Sequence, residues 1–125
     1  MKRILLAEDN PTNRELIRDV LEADGCEVIE ADNGQEALHK LREILPHLVL
    51  LDVQMPELDG YAVLNRLRAD PQLARLPVIA LTAYAMRGDR ERALAAGFDG
   101  YVSKPVDFRH LRAEIERLCG DGSQP

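Results

Sequence analysis

Short apolar runs in this chain end on residues that can do chemistry. Leu48-Val49-Leu50-Leu51 runs into Asp52, and Ile4-Leu5-Leu6-Ala7 runs into Glu8-Asp9. Val78-Ile79-Ala80-Leu81 runs into Thr82, and Tyr101-Val102-Ser103 runs into Lys104-Pro105. Runs this short, rich in branched residues and stopped by turn signals, read as buried parallel strands. In open α/β sheets, ligands sit beyond the carboxyl ends of such strands. Laid side by side, these runs bring three carboxylates, a hydroxyl and an ammonium to one rim. Carboxylates suit a hard divalent cation such as Mg2+. A hydroxyl and an ammonium suit phosphoryl oxygens. Asp52 is the candidate nucleophile, because a carboxylate attacking phosphorus forms an acyl phosphate. Glu8 and Asp9 supply metal ligands, and a backbone carbonyl near Gln54 supplies another. Thr82 and Lys104 hold phosphoryl oxygens. Without the cation, carboxylates this close raise one another's pKa.

Each feature alone has a plainer reading. A lone Asp at a strand end commonly forms a turn or caps a helix. Glu-Asp before Asn-Pro commonly opens a helix, and Lys-Pro is a common loop. The four together, on four strand ends of one sheet, favour a site.

The elements that must position these residues alternate between strand and helix patterns, which implies βαβ units and a parallel sheet. The first strand covers Arg3–Ala7, and Asn10-Pro11 pairs an N-cap with Pro at the first helical position. Leu16, Ile17, Val20 and Leu21 form the apolar face of the first helix, which Asp24-Gly25 closes. Glu27–Ala31 reads as the second strand. Ala37, Leu38, Leu41 and Ile44 stripe the second helix, and Val63, Leu64 and Leu67 the third. The fifth helix starts near Asp107 and carries Phe108, Leu111, Ile115 and Leu118 at helical spacing. Between Arg87 and Ala96 the fourth helix has one large apolar residue, Leu94. So little apolar surface predicts low local stability, as expected of an element that moves. Its plainer reading is a short surface helix whose alanines suffice. The tail Gly120–Pro125 is linker-like, so the expected organisation is one domain over 1–119 and a flexible tail over 120–125.

With 125 residues, 46% hydrophobic and 30% charged, the chain fits one globular domain. No apolar stretch approaches a membrane span. The N-terminus enters a strand at once and has no signal-peptide pattern, so a cytoplasmic location is expected. The net charge is −6. Residues 1–60 hold 6 basic and 14 acidic side chains, and residues 61–125 hold 10 and 8. That balance argues against direct nucleic-acid binding. Cys26 and Cys119 have no ligand spacing and read as small apolar fillers rather than a disulfide or redox switch.

The motifs Ala7-Glu8-Asp9-Asn10, Leu51-Asp52-Val53-Gln54-Met55-Pro56-Glu57-Leu58-Asp59-Gly60, Leu81-Thr82-Ala83 and Tyr101-Val102-Ser103-Lys104-Pro105 follow in order. In these the chain resembles the receiver domain of two-component response regulators, over about residues 2–119. The resemblance implies a flavodoxin-like, doubly wound sheet of five parallel strands in order 2-1-3-4-5 with five helices. It implies that Asp52 accepts phosphate from a histidine of a partner kinase or phosphotransfer protein. Asp9 would ligate Mg2+ directly, Glu8 through water, and Asp52 and the Gln54 backbone carbonyl would complete the set, with Mn2+ able to substitute. Thr82 and the Ala83 amide would hold the phosphoryl oxygens, with Lys104 paired to them and the Lys104–Pro105 bond cis. Thr82 moving inward and Tyr101 filling its space would switch the face of the fourth helix, fifth strand and fifth helix toward an effector protein. Gln54 and Tyr84 would tune access of hydrolytic water, with bulky Tyr84 slowing loss of the phosphate. A monomer or weak dimer is expected. The segment Ala83–Asp89 also resembles single-domain regulators of the DivK type and receivers of hybrid histidine kinases. By the same analogy Asn13, Arg14, Ile17 and the Pro105-Val106-Asp107 loop would meet the kinase's histidine-bearing helix, although Ile17 also reads as core. Arg87, Arg90, Arg92, Arg109, His110 and Arg112 read either as a partner face or as a solvated basic surface.

Three other readings stand beside this one. A Mg2+-dependent phosphatase of the haloacid-dehalogenase type also forms an aspartyl phosphate, but it wants an acid where Gln54 stands and a substrate-capping insertion. A nucleotide or flavin binder needs a Gly-rich loop after a strand, and none is present. A docking module that is never phosphorylated would not need the full set of site residues.

Overall fold

β1 (Arg3–Ala7), β2 (Glu27–Ala31), β3 (Leu48–Asp52), β4 (Val78–Thr82) and β5 (Gly100–Ser103) form one sheet in the order β2-β1-β3-β4-β5. Every pairing is parallel, so all five carboxyl ends meet one rim. The structure, a computed structural model, describes residues 2–83 and 88–119. The tail over 120–125 and Tyr84 lie outside the described residues, as does Arg87. β3 and β4 are buried along their whole length. Their near-continuous apolar sequences follow from that, since both faces are covered.

Strand side chains alternate between two cores. Leu5, Val49, Leu51, Val78 and Ala80 pack under α2 (Gly34–Glu43), α3 (Gly60–Ala69) and α4 (Asp89–Ala96). Ile4, Leu6, Leu48, Leu50, Ile79, Leu81 and Val102 pack under α1 (Pro11–Ala23) and α5 (Phe108–Cys119). Asn10 accepts the Asn13 amide, Asn33 that of Glu36, and Asp59 that of Ala62, so a side chain caps each of α1, α2 and α3. Arg68 ties α3 to the loop before β4 and to the turn between α4 and β5. Its guanidinium donates to the carbonyls of Ala74, Leu76 and Gly97 and to the Asp99 carboxylate.

Side chains also cover the sheet margins. Lys40 donates to the Glu30 carbonyl at 2.6 Å, and Arg117 donates to the Asp99 carbonyl at 2.7 Å. Such covering discourages strand addition from another chain.

Three expectations from the apolar pattern change. Leu16 is 53% exposed, because a step of one residue turns it away from the buried Ile17–Leu21 pair. Ile44 ends α2 in an extended conformation instead of extending its stripe. In α4 the buried residue is Ala93, while Leu94 is 37% exposed. That helix starts at a left-handed Gly88 with no side-chain cap, which fits its weak apolar anchoring. Cys26 and Cys119 are free and partly buried against the core, and burial pushes both thiols up. Inert fillers behave this way.

Candidate functional site at the carboxyl rim

The ends of β1 and β3 bring Glu8, Asp9 and Asp52 together. Oxygens of the three carboxylates lie within 4.8 Å of one another. Glu8 and Asp52 are buried, and Asp9 is exposed to solvent. The loop after β5 carries Lys104 across the rim, with the Lys104–Pro105 bond cis. Lys104 Nζ lies 2.9 Å from Asp52 Oδ2 and 2.6 Å from Glu8 Oε1. The contact with Glu8 Oε1 is a buried ion pair. The other Glu8 oxygen accepts the Asn10 amide at 3.2 Å. The Lys104 ammonium, despite its burial, is held above its ordinary value by bonds to Glu8 and Asp52.

Glu8 is pushed up from 4.5 to about 7, first by burial and then by Asp52, with Lys104 opposing. A buried acid whose oxygens lie within 4.8 Å of those of two more carboxylates fits a hard divalent cation well. The sign of the pH effect follows from the raised value. In the metal-free protein the folded state holds Glu8's proton through a window where the unfolded chain has lost it. Stability therefore falls as pH rises from about 4.5 to 7. We expect Glu8→Gln to remove a fall of about 1–3 kcal/mol between these limits. Urea titrations of parent and variant in chelator at pH 5 and 7.5 measure it. Equal pH slopes in the two proteins would contradict the assignment.

Asp52 is oriented from its own loop. Its Oδ1 accepts the Gln54 amide at 2.9 Å. The loop returns through Glu57, whose φ is 69° while Leu58 N bonds Pro56 O at 2.7 Å, a tight three-residue turn. Gly60 then closes on the strand end, donating to the Val53 carbonyl at 3.0 Å. A Cβ there would sit 2.6 Å from the Asp52 carbonyl oxygen, so only glycine fits.

Thr82 ends β4 and is buried, and Ala83 beyond it is exposed. The Thr82 carbonyl accepts the Lys104 amide at 2.7 Å. A cavity of about 70 Å3 lies between Thr82 and Tyr101, lined also by Val53, Tyr61, Asp89, Arg92 and Ala93. Tyr101 is partly buried at its edge. Behind it, the Arg117 guanidinium and then the Tyr101 amide hold Glu114 below the usual carboxylate range.

A second pocket of about 90 Å3 adjoins the rim beside Lys104. Asn13, Leu16 and Ile17 line it from α1, and Pro105, Val106 and Phe108 from the other side. Ile17, at 1% exposure, belongs to the core and floors this pocket. Of the arginines read as a partner face, Arg112 pairs with Asp24 at 2.7 Å and Arg92 with Asp89 at 3.5 Å. Arg14 is drawn inward to the Glu8 carbonyl, a contact the sequence did not signal.

A doubly wound parallel sheet with an acidic cluster and a lysine at its carboxyl rim defines a class of Mg2+-associated phosphoryl-binding domains. Residues 4–116 match the response regulator receiver domain, and this chain belongs to that family. It is 43% identical over 120 residues to the polar-differentiation response regulator DivK of Brucella anthropi, covering 96% of this chain and 98% of that protein. A sensor histidine kinase receiver domain from Pseudomonas aeruginosa PAO1, solved with a magnesium ion in its active-site cleft, superposes with a TM-score of 0.88. It is 37% identical, over 96% of this chain and 98% of that one. A Saccharomyces cerevisiae response regulator receiver, co-crystallised with a histidine phosphotransfer signaling protein, gives a TM-score of 0.88 at 26% identity. That likeness covers 98% of this chain and 92% of the other. The chain is thus a two-component receiver domain, a phospho-acceptor switch rather than a classical enzyme. No helix among the described residues is long and apolar enough to cross a membrane.

Proposed function

We propose that Asp52 accepts a phosphoryl group from a phosphohistidine and that the modified rim switches partner binding. The observation that carries this is the Asp52 carboxylate at the end of a central strand, 2.9 Å from Lys104 Nζ and within 4.8 Å of two further carboxylates. In the transfer, an Asp52 oxygen bonds to phosphorus as the P–N bond breaks. The electron pair leaves on the imidazole nitrogen, which takes a proton from solvent. Asp9, Glu8 (through water), Asp52 and the Gln54 carbonyl would hold Mg2+. Mn2+ should serve as well, because both accept hard oxygen ligands. The ion, when bound, offsets the negative charge gathering between donor and acceptor. The Gln54 amide holds Asp52 Oδ1 and leaves the other oxygen to Lys104.

After transfer, Lys104 pairs with a phosphoryl oxygen and releases Asp52 and Glu8. Thr82 and the Ala83 amide bind the remaining oxygens. Thr82 moving toward the phosphoryl group enlarges the cavity it shares with Tyr101, and the ring turns inward. That motion remodels the surface of α4, β5 and α5, where an effector docks. Weakly anchored α4 suits this role.

The donor is a histidine kinase or a histidine phosphotransfer protein. The pocket of Asn13, Leu16, Pro105, Val106 and Phe108 beside Lys104 suits the apolar face of a helix that presents the histidine. The covered sheet margins suit a monomer or weak dimer, and we place the protein in the cytoplasm, where such kinases deliver their signal. Residues 1–119 form the switch unit and 120–125 its tail.

Phosphoramidate tests the chemistry, since its P–N bond matches that of phosphohistidine. Intact mass should show one phosphoryl group per chain with Mg2+, none with chelator, and none in Asp52→Ala. Equal adduct in the variant would overturn the assignment of Asp52. Steady turnover of a small phosphate ester would favour the phosphatase reading instead.

A further inference from the structure

We propose that Arg14 is a positioning residue for the metal-binding end of β1; this rests on the receiver reading of the site. Arg14 sits in the first turn of α1, where a side chain could reach out to a partner. Instead its guanidinium turns inward, and only 20% of the side chain is exposed. Nη1 donates to the Glu8 carbonyl at 2.8 Å, and Nε donates to Glu30 Oε1 at 3.2 Å. Glu30 is held in turn by Arg18 Nη1 on its other oxygen, also at 3.2 Å. Two arginines on α1 therefore fix one carboxylate on β2, and one of them reaches on to β1.

The Glu8 carbonyl belongs to the peptide that joins Glu8 to Asp9. The Glu8 amide is bound to the Ala31 carbonyl at 3.1 Å, and its carboxylate takes the Asn10 amide. Arg14 supplies the remaining main-chain bond. Tying that carbonyl fixes the plane of the Glu8–Asp9 peptide and thereby the direction in which Asp9 leaves the chain. Asp9 is the exposed member of the three-carboxylate cluster, and no hydrogen bond among those described fixes its side chain. Its aim depends on the backbone beneath it. An arginine suits the task because one rigid fork serves two acceptors on different strands, which a lysine ammonium on a flexible stem does poorly. Groups that orient metal ligands from behind commonly change affinity by about 10–100-fold when removed.

The full chain and three variants separate this role from simple stabilisation. Mg2+ binding is measured by isothermal titration calorimetry, and amide hydrogen exchange is followed in the metal-free protein. Arg14→Ala should weaken Mg2+ binding about tenfold and speed exchange at the bonded amides of Glu8 and Asn10. Arg14→Lys should recover only part of the loss. Arg18→Ala loses the same Glu30 carboxylate but leaves the Glu8 carbonyl bonded, so its Mg2+ affinity should stay within about twofold of the parent. At saturating Mg2+, adduct formation in Arg14→Ala should approach the parental rate. Parental affinity in Arg14→Ala, or an equal loss in Arg18→Ala, overturns the proposal and leaves the receiver reading intact. A parent chain that binds no Mg2+ overturns both.

Discussion

Replacing Lys104 with alanine should cost the metal-free protein about 3 kcal/mol at pH 8 and at the same time tighten its hold on Mg2+. The two effects have one cause. Lys104 Nζ is the cation shared by Asp52 Oδ2 at 2.9 Å and Glu8 Oε1 at 2.6 Å. Both acids are buried, with 1% and 0% of their surface exposed. Removing one partner of a buried ion pair leaves uncompensated charge, which typically costs about 3–5 kcal/mol; the lower end applies here because Lys104 is in part open to solvent. The same ammonium repels an incoming cation and occupies two carboxylates proposed to hold it, so its loss should favour the metal. Urea unfolding in chelator and in excess Mg2+ gives both quantities, since ligand binding adds to stability by mass action. Most of the deficit should vanish on adding Mg2+. A variant as stable as the parent in chelator would show that the carboxylates do not depend on Lys104.

Gly60→Ala should be nearly as damaging, although Gly60 bears no functional group. Its α-carbon packs against the backbone that carries Asp52. An added Cβ would lie 2.6 Å from the Asp52 carbonyl oxygen and 2.7 Å from Val53 Cα. Both neighbours are main chain, so no side chain can turn aside to relieve the clash. Overpacking of this kind costs about 1–3 kcal/mol. Asp52 would also be displaced, and a misplacement of about 1 Å slows a positioned reaction about 100-fold. Adduct formation from phosphoramidate at saturating Mg2+ should therefore slow by about tenfold or more in the folded variant. A stable variant that phosphorylates at the parental rate would mean that the loop does not position Asp52.

Much of this arrangement was legible in the sequence because the signals were strong and local. Four apolar runs ending on Asp52, Glu8-Asp9, Thr82 and Lys104 marked one rim, and the parallel order 2-1-3-4-5 brought those ends together. The N-cap Asn10 acts where its residue type placed it, whereas Asp59, part of a turn-rich stretch in the sequence, proves to cap α3. What the sequence hid depends on contacts between distant segments or on small rotations of a helix. Leu16 looked like core because it adjoins Ile17, yet one step around α1 turns it to solvent beside Pro105 and Phe108. In α4 the choice between Ala93 and Leu94 rested on rotation alone, since too little apolar surface was present to define a face. Arg14 belonged by position to the partner-facing start of α1, and only the fold reveals that it reaches back to Glu8. Gly60 stood only as the end of the motif that begins at Leu51, and its close approach to the Asp52 backbone became visible with the loop in place.

The proposed function puts the phosphoryl group on Asp52 and on neither of the acids beside it. Borohydride tests this directly, because it reduces an acyl phosphate of aspartate to homoserine and leaves free carboxylates untouched. The protein would be loaded with phosphoramidate and Mg2+, reduced and mapped by peptide mass. Homoserine is expected at position 52 alone. Reduction at Glu8 or Asp9, or none at position 52 in a chain that carries a phosphoryl group, would contradict it.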